Sequence, residues 1–206
     1  MSLTRDISKP AERERVVLPK DWSFDLANDM VDTIHDEFDP HDAVKELAGQ
    51  IEGKSAGDAV GAAVVFFAGY GKRLMERTLE LGDQYKDRTY EVLQNAVEAT
   101  GGELGFPLIP ERFVEIAYLS TQPIYSLPIA ENTRNAFSFK MVFCDTITAM
   151  RENCGDELAE KLPCRKGCLA ATELAFTAKG YSVDVVQEAN MVEGDFCQFT
   201  ATPKEA

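Results

Sequence analysis

Histidine is almost missing from this chain: among 206 residues there are two, His35 and His41. A Cys-His dyad would need one of them to fold back onto Cys164, and no Ser, His, Asp set is placed for acyl transfer. Cysteines at CxxC spacing are absent, which removes the usual signature of a structural zinc site. No Gly-rich loop follows a strand, so a phosphate-cradling loop is not expected. Basic charge is short as well: 21 Lys and Arg against 35 Asp and Glu give a net charge of −14. Such a surface repels phosphate backbones and anionic headgroups, so neither a nucleic-acid nor a membrane partner is expected. The uncharged run Ala59 to Gly71 falls well short of the about 20 apolar residues that a membrane span needs. Met1 to Lys20 holds no apolar run, so no secretory signal is visible and the cytoplasm is the expected compartment.

What the chain does hold is a concentration of thiols. All five cysteines, Cys144, Cys154, Cys164, Cys168 and Cys197, fall in its last third. An odd number with no signal peptide argues against a disulfide framework and for reduced thiols, redox chemistry or metal ligation.

The organisation follows from periodicity and breakers. Residues 1–20 are charged and interrupted by Pro10 and Pro19, which predicts a mobile arm ahead of a single domain over 21–206. Trp22, Leu26 and Met30 predict one short helix; Ala43, Leu47 and Ile51 predict a second after Pro40. Ser55 to Leu81 predicts a long helix with Val60, Val64, Phe67, Leu74 and Leu81 near one face and Gly82 as its stop. Its glycines 57, 61, 69 and 71 point to close packing or to a wall against a ligand. A helix over Asp83 to Thr100 ends at Gly101-Gly102. Pro107, Pro110, Pro123 and Pro128 then break the chain into short pieces, with Phe113 to Leu119 the best ordered segment and helix or strand left open.

The period next changes to two. Phe137, Phe139, Met141 and Phe143 alternate as in a strand with one buried face. Asp145 to Leu162 predicts a helix broken near Gly155, and Gly167 to Lys179 a helix stopped by Gly180. Tyr181 to Glu188 and Phe196 to Thr202 predict strands joined by a turn at Glu193-Gly194-Asp195, hence antiparallel. The expected fold class is α+β: N-terminal helices packed on a small, mostly antiparallel C-terminal sheet with crossing helices, and a cysteine-rich part over 137–202.

Cys164 and Cys168 are four apart, so on a helix they share one face. Cys164 follows Pro163 at a predicted helix start beside Arg165 and Lys166, where the helix dipole and two cations favour a thiolate. It is the expected reactive thiol. Cys144 and Cys154 read as packing residues, and Cys197 as core or pocket depending on strand register. A soft metal on Cys164, Cys168 and Cys197 stays open, although no iron-sulfur spacing is present, and no other cofactor is expected. The carboxylate-rich segment around His35 and His41 reads as a solvated acidic helix end.

The segment Phe139 to Phe199 resembles the small-molecule-binding domain named after the bacteriochlorophyll 4-vinyl reductases, also called the hydrocarbon-binding domain. The resemblance lies in Cys164-Arg-Lys-Gly167, the strand Val183 to Glu188, and Gly194-Asp195-Phe196-Cys197-Gln198-Phe199. Asn190 or Met191 stands where that family often has a further cysteine. The segment is similar also to the L-2-amino-thiazoline-4-carboxylic acid hydrolases, through Cys144, Cys164, Gly194-Asp195 and Cys197-Gln198-Phe199. From these it departs in lacking an Asp shortly after Cys164. Either resemblance implies an α+β fold with a ligand pocket between helices and sheet.

Two functions follow as expectations. The first is a small-molecule binding or sensing domain, its pocket lined by Val64, Phe67, Tyr70, Phe139, Met141 and Phe143, with Cys164, Cys168 and Cys197 at the mouth. The second is a hydrolase of a small cyclic carbon-nitrogen substrate, using Cys164 as nucleophile and Asp195 or Glu188 as proton carrier. A redox disulfide from Cys164 to Cys168 or Cys197 is compatible with both, and the apolar helix faces allow a homodimer.

Overall fold

The computed structural model describes residues 28–85, 88–102 and 105–204. The arm expected over residues 1–20, and the positions Trp22 and Leu26, lie outside them.

Two short helices come first, α1 (Asn28–Glu37) and α2 (Pro40–Ile51). Asp39 caps α2, its carboxylate accepting from the amides of His41 and Asp42, and Pro40 fills the first-turn position where no amide is needed. Val44, Leu47 and Ile51 form the buried face of α2, while Ala43 is half-buried.

The long helix α3 (Ala56–Gln84) starts at Ser55, whose hydroxyl accepts from the Asp58 amide. Its buried face runs through Ala59, Ala63, Phe67, Gly71, Leu74, Thr78 and Leu81, so Val60 and Val64 sit beside that face, half-buried. Gly82 does not stop it. The helix continues to Gln84, and the missing side chain lets α5 (Leu108–Thr121) approach: a Cβ at Gly82 would lie 2.7 Å from the Phe113 ring.

Between them, α4 (Arg88–Ala99) ends before Gly101 and Gly102, both at positive φ. Helix α5 resolves the open choice over Phe113 to Leu119. Every residue from Ile109 to Thr121 is buried, so the helix has no solvent face and therefore no readable period.

Charged residues inside such a helix need partners. The fully buried Arg112 lies over the Tyr90 ring at 4.2 Å and donates to the carbonyls of Gly82 and Tyr85, both at 3.1 Å. Glu111 accepts from Asn132 Nδ2 at 2.6 Å, yet burial pushes its carboxyl up to about 7. A raised carboxyl is fully accommodated below its unfolded value of 4.5 and costs stability as pH rises from there through 7. Glu111→Gln is therefore expected to gain about 3 kcal/mol relative to wild type between pH 4.5 and 8. Urea midpoints across that range check it, and parallel curves would contradict it.

The sheet is antiparallel in the order β1-β2-β4-β3, from β1 (Ile129–Asn132), β2 (Phe137–Met141), β3 (Val183–Ala189) and β4 (Cys197–Pro203). Strand β2 places Phe137, Phe139 and Met141 on the core side as predicted, but it ends at Met141. Ser138 is buried too, because its hydroxyl meets those of Thr200 at 2.9 Å and the Gln198 amide at 3.1 Å. After β2 come α6 (Asp145–Cys154), α7 (Asp156–Ala159) and α8 (Arg165–Thr177), with the expected break at Gly155 (φ 77°) and stop at Gly180 (φ 87°). The protein is thus α+β, helices packed on a small antiparallel sheet.

Helices α3 and α8 make the closest crossing. A Cβ built on Gly71 would lie 2.1 Å from the Gly167 carbonyl oxygen, so the two backbones are in direct contact. That crossing fixes one wall of the cavity described next.

Candidate functional site

Beside the α3–α8 glycine contact lies a cavity of about 130 Å³, bounded by these two helices, the sheet, α5 and α6. Phe67, Tyr70, Gly71 and Leu74 line it from α3, Gly167, Cys168 and Ala171 from α8, and Tyr118 from α5. Met141, Cys197 and Phe199 line it from the sheet, Cys144, Ile147 and Met150 from the start of α6. Cys164 lies at the α8 N-cap. The solvent-facing rim holds Glu160, Lys161, Arg165 and Val192, all exposed.

Four of the five cysteines thus come together from three separate parts of the chain, the start of α6, the start of α8 and β4. Cys164, Cys168 and Cys197, expected at a pocket mouth, line the cavity wall, and Cys144, read from the sequence as packing, lines it too. Cys154 is not among the residues that line it. All five are free thiols. Cys144, Cys164 and Cys168 are half-buried, and as wall residues they have a cavity face; Cys197 is buried and accepts from the Met191 amide at 3.3 Å.

This environment works against the expected Cys164 thiolate. Burial drives the Cys164 thiol well above its usual range, and the neighbouring thiols, as potential like charges, push it further. The helix start opposes this only weakly. A helix N-terminus is worth at most about 2 kcal/mol, little more than one pKa unit, whereas burial shifts a group by up to about 3–5 units. Arg165 is exposed on the rim, in water. Burial likewise pushes Cys144 up to about 11 and Cys168 up to about 12, and raises Cys197. At neutral pH the sulfur wall is uncharged.

The other expected site residues divide. Phe67, Tyr70 and Met141 line the cavity, and the Tyr70 hydroxyl donates to the Phe38 carbonyl at 2.7 Å. Val64 does not, because the lining face of α3 lies further along the helix, from Phe67 to Leu74. Phe139 is fully buried beside the cavity, paired with Phe199 across β2 and β4 with ring centroids 5.5 Å apart; Phe199 supplies the wall. Phe143 lies beyond the end of β2 and is 62% exposed, so it has no pocket role.

Neither carboxylate proposed as proton carrier lines the cavity. Asp195 is exposed in the β3–β4 turn, and Glu188 is exposed, accepting from Gln198 Nε2 at 2.6 Å. His41 faces Glu152 at 3.5 Å, and neither histidine is a wall residue, so no Cys-His dyad forms. Among the described residues no group of three His, Cys, Asp or Glu side chains is placed to hold a metal, which removes the ligand set Cys164, Cys168 and Cys197. No helix among the described residues is long and apolar enough to cross a membrane.

Tyr118 escaped the sequence reading. It is 4% exposed, it lines the cavity, and its hydroxyl has no hydrogen-bond partner. Its one sequence cue, an aromatic with a polar tip inside an apolar run, is shared by many core tyrosines. Comparison with described protein families and with curated proteins gives no match for this chain.

Proposed function

We propose that the protein binds or senses a small, largely apolar molecule in the thiol-walled cavity. The observation that carries this is the convergence of Cys144, Cys164, Cys168 and Cys197 on one cavity whose remaining inner walls are mainly aromatic and aliphatic. Neutral thiols are polarizable apolar surface, and a concave, mostly apolar space with few polar groups has the composition of a small-molecule site. The resemblance to the hydrocarbon-binding domain points the same way. Free thiols in such a wall suit the reducing cytoplasm expected from the sequence. The hydrolase alternative gains no support from Asp195 or Glu188, since neither lines the cavity.

Methyl NMR tests the reading directly. Toluene is expected to shift the methyl resonances of Met141 and Met150, both cavity residues, while Met30 and Met75, buried elsewhere, stay unmoved. Unmoved Met141 and Met150 signals at millimolar toluene would refute an accessible apolar site.

A further inference from the structure

The polar residues of the cavity wall differ in what they have left to offer a ligand. The Thr121 hydroxyl donates to the Ala117 carbonyl at 2.8 Å, and the side chains of Thr146 and Gln187 bond the sulfurs of Cys144 and Cys197. Gln122 is different. Its Oε1 accepts from the Asp145 amide, at the start of α6, at 2.9 Å. A backbone N–H can face only the oxygen of a carboxamide, so this bond fixes the orientation of the group and turns its NH2 the other way. Among the described residues that NH2 donates to nothing. Nor is it sealed, as the Tyr118 and Thr172 hydroxyls are. Gln122 is 6% exposed and lines the cavity, so the surface its NH2 keeps is cavity surface.

Asn190 repeats the arrangement nearer water: its Oδ1 accepts from the Val192 amide at 3.1 Å, but the residue is only half-buried, beside the exposed rim. Gln122 is therefore the donor with most to gain. A donor withdrawn from water without an acceptor is costly, and a ligand oxygen placed before it recovers that cost. A hydrocarbon in the same place recovers nothing.

Size and charge set the rest. A cavity of about 130 Å³ is close to the roughly 150 Å³ of an apolar cavity known to take benzene. Its charged lining residues, Glu160, Lys161 and Arg165, are all exposed, so the buried wall offers no counter-ion to a charged ligand.

We infer that Gln122 is the residue by which the cavity selects its ligand, an uncharged one-ring molecule whose carbonyl-type oxygen accepts from the Gln122 NH2. This rests on the binding function proposed above and deepens it by naming the ligand class and the group that recognises it.

Cyclohexanone and methylenecyclohexane have nearly the same shape and differ in one acceptor oxygen. Each is titrated against the full chain, the Met141 and Met150 methyls reporting binding and the ¹⁵N-resolved side-chain amides reporting contact. Cyclohexanone is expected to move the Gln122 NH2 protons downfield, and bound methylenecyclohexane to leave them unshifted. Equal movement with both compounds overturns the assignment, as does movement of the Asn190 NH2 in place of that of Gln122. Gln122→Glu is nearly isosteric, keeps an oxygen for the Asp145 amide and removes the NH2. In that variant the ratio of cyclohexanone to methylenecyclohexane affinity is expected to fall about tenfold, the scale of one lost hydrogen bond. An unchanged ratio overturns the role of Gln122, and cyclohexanecarboxylate binding as tightly as cyclohexanone overturns the uncharged class. If neither cyclohexanone nor methylenecyclohexane moves the methionine methyls, the binding function falls with the inference; if both bind without discrimination at Gln122, only the inference is lost.

Discussion

Gly71→Ala is expected to destabilise the protein strongly, whereas Gly61→Ala in the same helix is expected to stabilise it. The difference lies in what the new methyl group meets. At Gly61 nothing stands within 4 Å, so alanine gains its helix propensity, about 0.5–1 kcal/mol. At Gly71 the Cβ would fall 2.1 Å from the Gly167 carbonyl oxygen and 2.7 Å from its carbon. A side chain could rotate away, but a helix backbone cannot. Relief requires α3 and α8 to separate, and the wall they share with the cavity opens with them. Overpacking usually costs about 1–3 kcal/mol when side chains can yield. A rigid opponent puts this case at about 3 kcal/mol or more, against a typical total of about 5–15 kcal/mol. Urea unfolding followed by circular dichroism measures both variants. Gly71→Ala with an unchanged midpoint would mean that the helices do not cross at these glycines.

The same crossing shows what sequence can carry and what it cannot. Glycines in an otherwise apolar helix signal either close packing or a ligand wall, and Gly71 is both. The breaks at Gly155 and Gly180 and the hairpin before Cys197 were legible because each depends on a few adjacent residues. Helix α5 was not, since a helix buried on all sides loses the amphipathic period by which helices are recognised. Phe143 misled for the opposite reason: alternation continued past Met141, while strand pairing, which depends on β4, had ended. Tyr118 and Cys144 belong to the cavity only through contacts made by distant parts of the chain. The clustering of cysteines in sequence announced a site, but the protonation state of its thiols depended on burial.

That burial leads to an expected order of alkylation in the native protein at pH 8. Iodoacetamide should modify Cys154 first and the cavity thiols Cys144, Cys164 and Cys168 last. The thiolate is the attacking species, so each pKa unit above pH removes about nine-tenths of the reactive form. Raising Cys144 from its usual 9 to about 11 slows it about 100-fold by ionisation alone, and raising Cys168 to about 12 slows it about 1000-fold. Cys164 belongs with this slow group, because burial and the neighbouring sulfurs both suppress its thiolate. Cys154 is also raised, but by burial alone and without the other thiols as neighbours. Peptide mass spectrometry after timed quenching gives the order. If Cys164 is labelled first, the helix start outweighs burial after all, and the thiolate hydrolase becomes the better account of this site. If Cys144 and Cys168 stay silent until the pH approaches 10, the wall is protonated at neutral pH. Oxidation to a Cys164–Cys168 or Cys164–Cys197 disulfide, which also begins from a thiolate, should then be slow for the same reason. Slow alkylation together with slow oxidation would fit the proposed use of these thiols as polarizable apolar surface against a bound ligand.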